Sequence, residues 1–284
     1  MNKPNNERRA QVIAALVEGN SIRATVRMMG VAKNTIVKLL EDLGTACVAY
    51  QDEAFSNLPC KRIQCGEIWS FCYAKQKNVS PEHQGVFGYG DVWTWVAIDE
   101  ETKLVPCWHV GRRDALAAYE FITDLVSRLA TRVQLTTDGH RLYLEAVEAG
   151  CGSEIDYAML VKIYGKPQEE VRYTPAECVG CKVVEVSGTA DKKHVSTSYV
   201  ERQNLTMRMS MRRFTRLTNA LSKKLDNHRH AIALHYMYYN FCRIDKSLRC
   251  TPAMAAGVYK RLREISDIVT LLENKSLQAA DSGL

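Results

Sequence analysis

Apolar residues recur at helical spacing three times within the first 43 residues. Val12, Ile13, Leu16 and Val17 mark a helix over 7–17 that Gly19-Asn20 ends. Ser21 is a good N-cap for a second helix over 22–28. Gly30 makes a turn. Residues 33–43 then form a third helix on an apolar face of Ile36, Val37, Leu39, Leu40 and Leu43. Helix, glycine-containing turn, helix is the layout of a helix-turn-helix. Its second helix would present Lys33, Asn34, Thr35 and Lys38 to a DNA major groove. A small helical bundle with no DNA role has the same pattern. This all-α unit is read as a first domain, 1–46, and residues 47–61, mixed in polarity and containing Asn57 and Pro59, as a linker.

Period-two alternation begins at Arg62 and runs to Tyr73. Ile63, Cys65, Glu67, Trp69 and Phe71 fall on one side, and Gln64, Gly66, Ile68, Ser70 and Cys72 on the other. After a polar, glycine-rich loop over 74–90, residues 92–99 and 104–110 read as a hairpin about an acidic turn. Residues 114–129 form an amphipathic helix. A short buried strand over 133–137 runs into Asp138-Gly139-His140, and residues 142–149 are helical. Three strands, a helix, a strand ending in Asp and further helices form an α/β layout with a mixed sheet. It is the order of a ribonuclease-H-like domain, assigned to 62–256. Residues 150–197, with Pro167 and Pro175, read as irregular; 198–219 and 221–241 read as two long helices. Residues 257–284 read as a C-terminal helical tail with a frayed end.

Composition narrows the class. The 284 residues are 46% hydrophobic and 25% charged, as in a folded globular chain. No apolar run approaches the ~20 residues needed to span a bilayer. The polar start, MNKPNNERRAQ, is not a secretory signal, so no membrane partner and a cytoplasmic location are expected. Ten cysteines are too sparse for a disulfide scaffold. The net charge of +6 is unevenly spread: +3 over 1–43, −5 over 44–200, +8 over 201–249 and zero thereafter. Basic blocks suit a polyanionic partner, and an acidic middle would repel DNA unless metal ions intervened. Arg208, Arg212, Arg213 and Arg216 are the candidate phosphate contacts in the late block.

Two acids are candidates for chemistry. Asp138 ends a buried strand, a common position for a divalent-ion ligand and equally for a turn-capping Asp. Glu201 lies in the first turn of a helix otherwise rich in cations, as an ion-pair partner or a metal ligand. Cys178-Val179-Gly180-Cys181 is a lone C-x-x-C, too little for a zinc ribbon, and reads as an ordinary loop or a weak redox pair. Trp69, Trp93, Trp95 and Trp108 read as core residues ahead of base-stacking ones.

The segments CGEIWSFCYAK, TTDGHRLY, STSYVERQNLTMRMSMRRFTR and FCRIDKSLRCTPAMAAG together resemble the DDE transposases of bacterial insertion sequences, in particular the IS-one type. The resemblance covers roughly residues 60–257. It implies a ribonuclease-H-like catalytic domain, two Mg²⁺ ions (Mn²⁺ as a possible substitute) held by an Asp-Asp-Glu triad, and double-stranded DNA partners, namely the element ends and the target. It also implies a homo-oligomer assembled on DNA. The second Asp of the triad matches Asp138 and the Glu matches Glu201. The first falls on Gly66, which has no side chain. Glu67, Asp91 and Asp99 are the acids that would have to replace it. Asp245 is a second departure, at a position where the resembling proteins often carry His.

The expected function is therefore DNA transposition, with binding of terminal repeats, phosphodiester hydrolysis and strand transfer, and with catalysis impaired at Gly66. The competing readings are a non-catalytic DNA-binding protein or repressor of transposition, and a ribonuclease-H-like nuclease with another substrate.

Overall fold

The N-terminal helices form where their caps predict. The computed structural model describes residues 4–165, 178–215 and 220–281. Helix α1 spans Asn6–Val17 and α2 spans Ile22–Met29. The Ser21 hydroxyl accepts from the Ala24 amide at 3.1 Å, which satisfies one of the orphan N–H groups of α2. Gly30 ends α2 in the left-handed conformation, φ 63°.

Helix α3 is twice as long as its expected length, running Lys33–Ala54. The reading of 47–61 as a linker is thus corrected: Cys47, Gln51, Phe55 and Leu58 are buried. Gly44 does not stop the helix. It is where α3 crosses α7 (Leu225–Phe241), and a Cβ there would lie 2.4 Å from the Cβ of His230. The glycine is needed for close helix approach. At the end of α3, Phe55 stacks on Phe241 with ring centroids 5.6 Å apart. Val12, Ile36 and Leu43 therefore share one core with Ile63, Trp95, Leu135 and Phe241.

The sheet has six strands: β1 (Arg62–Cys72), β2 (Gly90–Asp99), β3 (Cys107–Gly111), β4 (Gln134–Asp138), β5 (Asp156–Tyr164) and β6 (Cys178–Ser187). Their order is β3-β2-β1-β4-β5-β6. β4 runs parallel to β1 and β5 parallel to β4, and the other neighbours are antiparallel. Helices α4 (Ala115–Ser127) and α5 (Leu142–Cys151) cover one face and α6 (Ser198–Ser210) the other. The expected mixed α/β class is present, with a sheet compatible with the ribonuclease-H-like order. β5 and β6 replace irregular chain expected over 150–197.

Helix α7 contributes to both layers. Ala233, Leu234, Met237 and Phe241 enter the larger core, and Ile232, Tyr236 and Tyr239 the smaller one under α6. The buried Asn240 carboxamide accepts from the Val105 amide and donates to the Val105 carbonyl, both at 3.0 Å. It pairs with the chain as a neighbouring strand would. Helices α8 (Pro252–Ala255) and α9 (Ile265–Asp281) follow, and α9 reaches into the segment expected to fray, whose last three residues lie outside the described ones.

The long helix expected over 198–219 stops at Ser210. Met211 is extended (φ −126°, ψ 107°), and both Met211 and Phe214 turn into the smaller core. Arg212 is consequently not on the helical face of Glu201.

Candidate functional site

Strand alternation places Gln64, Gly66 and Ile68 of β1 on the side covered by α6. A Cβ on Gly66 would lie 3.3 Å from both methyl carbons of Val200, the residue before Glu201. The β1–β4 ladder ends at Gln64↔Thr136. Two residues further along each strand stand Gly66 and Asp138, on that same side. Gly66, Asp138 and Glu201 are thus brought to one face of the sheet.

Gln64 fixes the start of α6. Thr197, its N-cap, makes no side-chain cap, and the Gln64 side-chain oxygen accepts instead from the amides of Tyr199 at 2.9 Å and Val200 at 3.3 Å. Orphan N–H groups at the helix start are thereby satisfied from the strand. One turn on, Asn204 donates to the Glu67 carbonyl at 3.4 Å. These ties seat the first turn of α6, with Glu201, over β1.

Glu201 is not a free ligand. Its Oε1 accepts from the Thr197 hydroxyl at 2.6 Å and is ion-paired with Lys162 Nζ of β5. Burial pulls the Lys162 ammonium down, but the Glu201 hydrogen bond and charge outweigh it, so its pKa is raised. Asp138 is half-buried, and its Oδ1 accepts from the His140 amide at 3.0 Å. The turn-capping reading of Asp138 therefore holds alongside its place on the α6 face.

None of the three nearby acids takes the position that Gly66 leaves open. Glu67 points to the opposite face, where its side chain is 2% exposed. Its Oε1 accepts from Arg113 Nε at 2.9 Å and Nη2 at 2.7 Å, and its Oε2 from the Tyr143 hydroxyl at 3.2 Å. Burial first, and then the charge of Asp138, push the Glu67 carboxyl above the usual range. Asp91 pairs with Phe71, five residues along β1 from Gly66, and also faces away from α6. Asp99 pairs with Ile63 at the other end of β1, and its Oδ2 accepts from the Thr102 amide and hydroxyl.

Around Asp138 stand Arg113 and His140. Burial, then the Arg113 charge, lower the His140 pKa, against the pull of Asp138. The Arg113 guanidinium also lies 4.5 Å from the Trp93 ring centroid. Among the described residues, no three His, Cys, Asp or Glu side chains are grouped so as to hold a metal ion. Two carboxylates, one of them paired with Lys162, and a glycine in the third position do not fit a two-ion site, which gathers carboxylates around ions about 3.5–4 Å apart.

No family model and no curated protein matches this chain. Among solved structures it is similar to a piggyBac transposase in a cryo-EM synaptic complex with hairpin DNA. That likeness has a TM-score of 0.39 at 10% identity and covers 98% of this chain and 73% of the other. The C-terminal lobe of a budding yeast Argonaute gives a TM-score of 0.27 at 7% identity, over 95% and 68% of the two chains. Neither likeness assigns this chain a family or an activity.

The other candidate residues divide by position. Lys33, Asn34 and Lys38 are exposed and Thr35 is half-buried at the start of α3; Lys38 forms an exposed pair with Asp42 at 3.2 Å. Arg208 lies in the last turn of α6, and Arg212 is exposed beyond it. Arg213 is corrected: its guanidinium turns inward and donates to the Ser222 hydroxyl at 3.0 Å and the Asn227 carbonyl at 2.7 Å. Burial lowers its pKa to about 10. The same Ser222 hydroxyl meets His228 Nδ1 at 2.9 Å, and His228 Nε2 meets Ser70 at 3.1 Å, so Arg213 belongs to a buried polar chain. Arg216 lies outside the described residues. Asp245 accepts from the amides of Ser247 and Leu248 and caps a turn. Trp95 is fully buried, in agreement with its core reading.

Gln64, Lys162 and Tyr143 were missed from the sequence. Lys162 lies in β5, within the stretch that Pro167 and Pro175 make look irregular. Tyr143 was visible only as a helical residue four positions after Gly139.

Proposed function

We propose that this chain is a DNA transposase of the DDE type, with its phosphodiester chemistry impaired at Gly66. What supports this most is that Gly66 faces the first turn of α6, which carries Glu201, and that strand alternation puts Asp138 on the same side of the sheet; these are the positions that the sequence resemblance assigns to the triad. In this reading α2 and α3 act as the helix-turn-helix, with Lys33, Asn34, Thr35 and Lys38 reading the terminal repeats. Arg208 and Arg212 contact phosphates. Oligomerisation occurs on the DNA. The donor set of the chain as it stands does not fit a pair of Mg²⁺ or Mn²⁺ ions.

A second reading is favoured by the same glycine. A protein that binds element ends without cutting them, and so represses transposition, needs the helices and cations and no third carboxylate.

The test is cleavage and strand transfer on terminal-repeat DNA with Mg²⁺ or Mn²⁺, for the chain itself and for Gly66→Asp. The transposase reading expects weak or no activity in the first and a gain in the second. End-specific binding without gain in Gly66→Asp supports the repressor. Strong, equal activity in both would mean that the site lies elsewhere.

A further inference from the structure

Cys178 and Cys181 open strand β6. In an unbroken strand, residues three apart face opposite sides of the sheet. Here the ladder pairs Tyr164 with Cys178, Ile163 with Gly180 and Lys162 with Cys181, with an irregularity between Ile163 and Tyr164. Val179 is the extra residue of a bulge. Three steps on β6 therefore match two on β5, and the bulge turns both cysteines to the side of Tyr164 and Lys162. Of the ten cysteines, these two alone are exposed. The Cys178 thiol donates to the Gly180 carbonyl at 3.3 Å. Cys181 stands across the ladder from Lys162; burial first, and then the neighbouring Cys178, raise its thiol against the pull of Lys162.

We infer that Cys178 and Cys181 are a thiol-oxidation site, forming a reversible intrachain disulfide on the rim of the Lys162–Glu201 ion pair. The oxidant is a low-molecular-weight disulfide such as oxidised glutathione. One cysteine thiolate attacks a glutathione sulfur, making a mixed disulfide and releasing one glutathione thiolate. The other cysteine thiolate attacks the protein sulfur of that bond, closing the ring and releasing the second. Two electrons pass to the glutathione disulfide, and the two protons lost by the cysteines end on the released thiolates. The bridge closes a very short loop, so it gains little from loop entropy, and an exposed bridge of this kind is readily reduced again. The pair does not depend on whether the chain acts on DNA.

The full chain, incubated with mixtures of oxidised and reduced glutathione, would be alkylated, digested and mapped by mass spectrometry. One disulfide joining Cys178 to Cys181, removed by dithiothreitol, is expected. Cys178→Ser and Cys181→Ser should each stop at a glutathione mixed disulfide on the remaining cysteine. A parent chain that also stops there, or stays fully reduced, overturns the inference. Lys162→Met removes the cation that favours the Cys181 thiolate and leaves Glu201 to oppose it, so ring closure should slow severalfold. An unchanged rate would remove the pair from the rim of the ion pair.

Discussion

The position where Gly66 lacks a Cβ is bounded by both methyl groups of Val200, each 3.3 Å away. A side chain there is tight without being blocked, since the neighbour has to move by only a few tenths of an ångström. Gly66→Asp should therefore fold with a loss of about 1–3 kcal/mol, as overpacking changes do. Val200→Ala should be less damaging in the Gly66→Asp background than in the parent, with a coupling of roughly 0.5–3 kcal/mol. Urea unfolding of the four proteins measures it, and purely additive effects would mean that residue 66 does not face α6.

Glu67 gives a pH dependence. Its carboxyl is raised by burial and by Asp138, so the folded chain holds a proton that the unfolded chain has released. Stability should fall as pH rises from the ordinary glutamate range through the raised value, and Glu67→Gln should flatten that segment. Asp138→Asn removes one raising charge, so the Glu67 pKa should drop. Tyr143→Phe removes a hydrogen bond to the carboxylate, so it should climb. Carbon-13 titration of the Glu67 carboxyl reads both, and shifts of the opposite sign would refute the assignment.

Arg212 and Arg213 are neighbours with different expected roles. Arg212→Ala should weaken DNA binding at all sequences and reduce the salt slope by about one, in keeping with one lost phosphate contact. Arg213→Ala should leave that slope alone in the folded protein. It should instead lower stability by about 1–3 kcal/mol, because the part-buried Asn227 carbonyl loses its guanidinium donor and the Ser222 hydroxyl loses one of its two partners. Binding isotherms over a salt series and thermal melts separate the two.

Gly44→Ala puts a methyl carbon 2.4 Å from the Cβ of His230, where backbone has to give way. A loss of roughly 1–3 kcal/mol is expected despite the better helix propensity of alanine. A stabilised variant would show that the α3–α7 crossing has room for a methyl group.

Local signals carried much of the architecture. Ser21 and Gly30 marked α2 because capping is a contact among a few residues. The alternation of β1 put Gly66 and Glu67 on opposite faces before any coordinates. What failed was set by distant partners. The third helix was expected to end at residue 43, and only α7 explains why Gly44 lies inside it as a crossing point. Nothing between Ser198 and Asn219 breaks a helix; α6 ends because Met211 and Phe214 find a core that no local pattern announces. The apolar run from Ala158 to Val161, followed by Ile163, was a legible strand signal that the nearby prolines obscured. Lys162, and with it the pairing of Glu201, went unseen for that reason.

Because α7 supplies side chains to the packing on both sides of the sheet, the fold is completed only by about the last fifth of the chain. A polypeptide interrupted before residue 225 would leave two apolar surfaces bare at once. Truncated products should then aggregate or be degraded before they could occupy DNA as competitors.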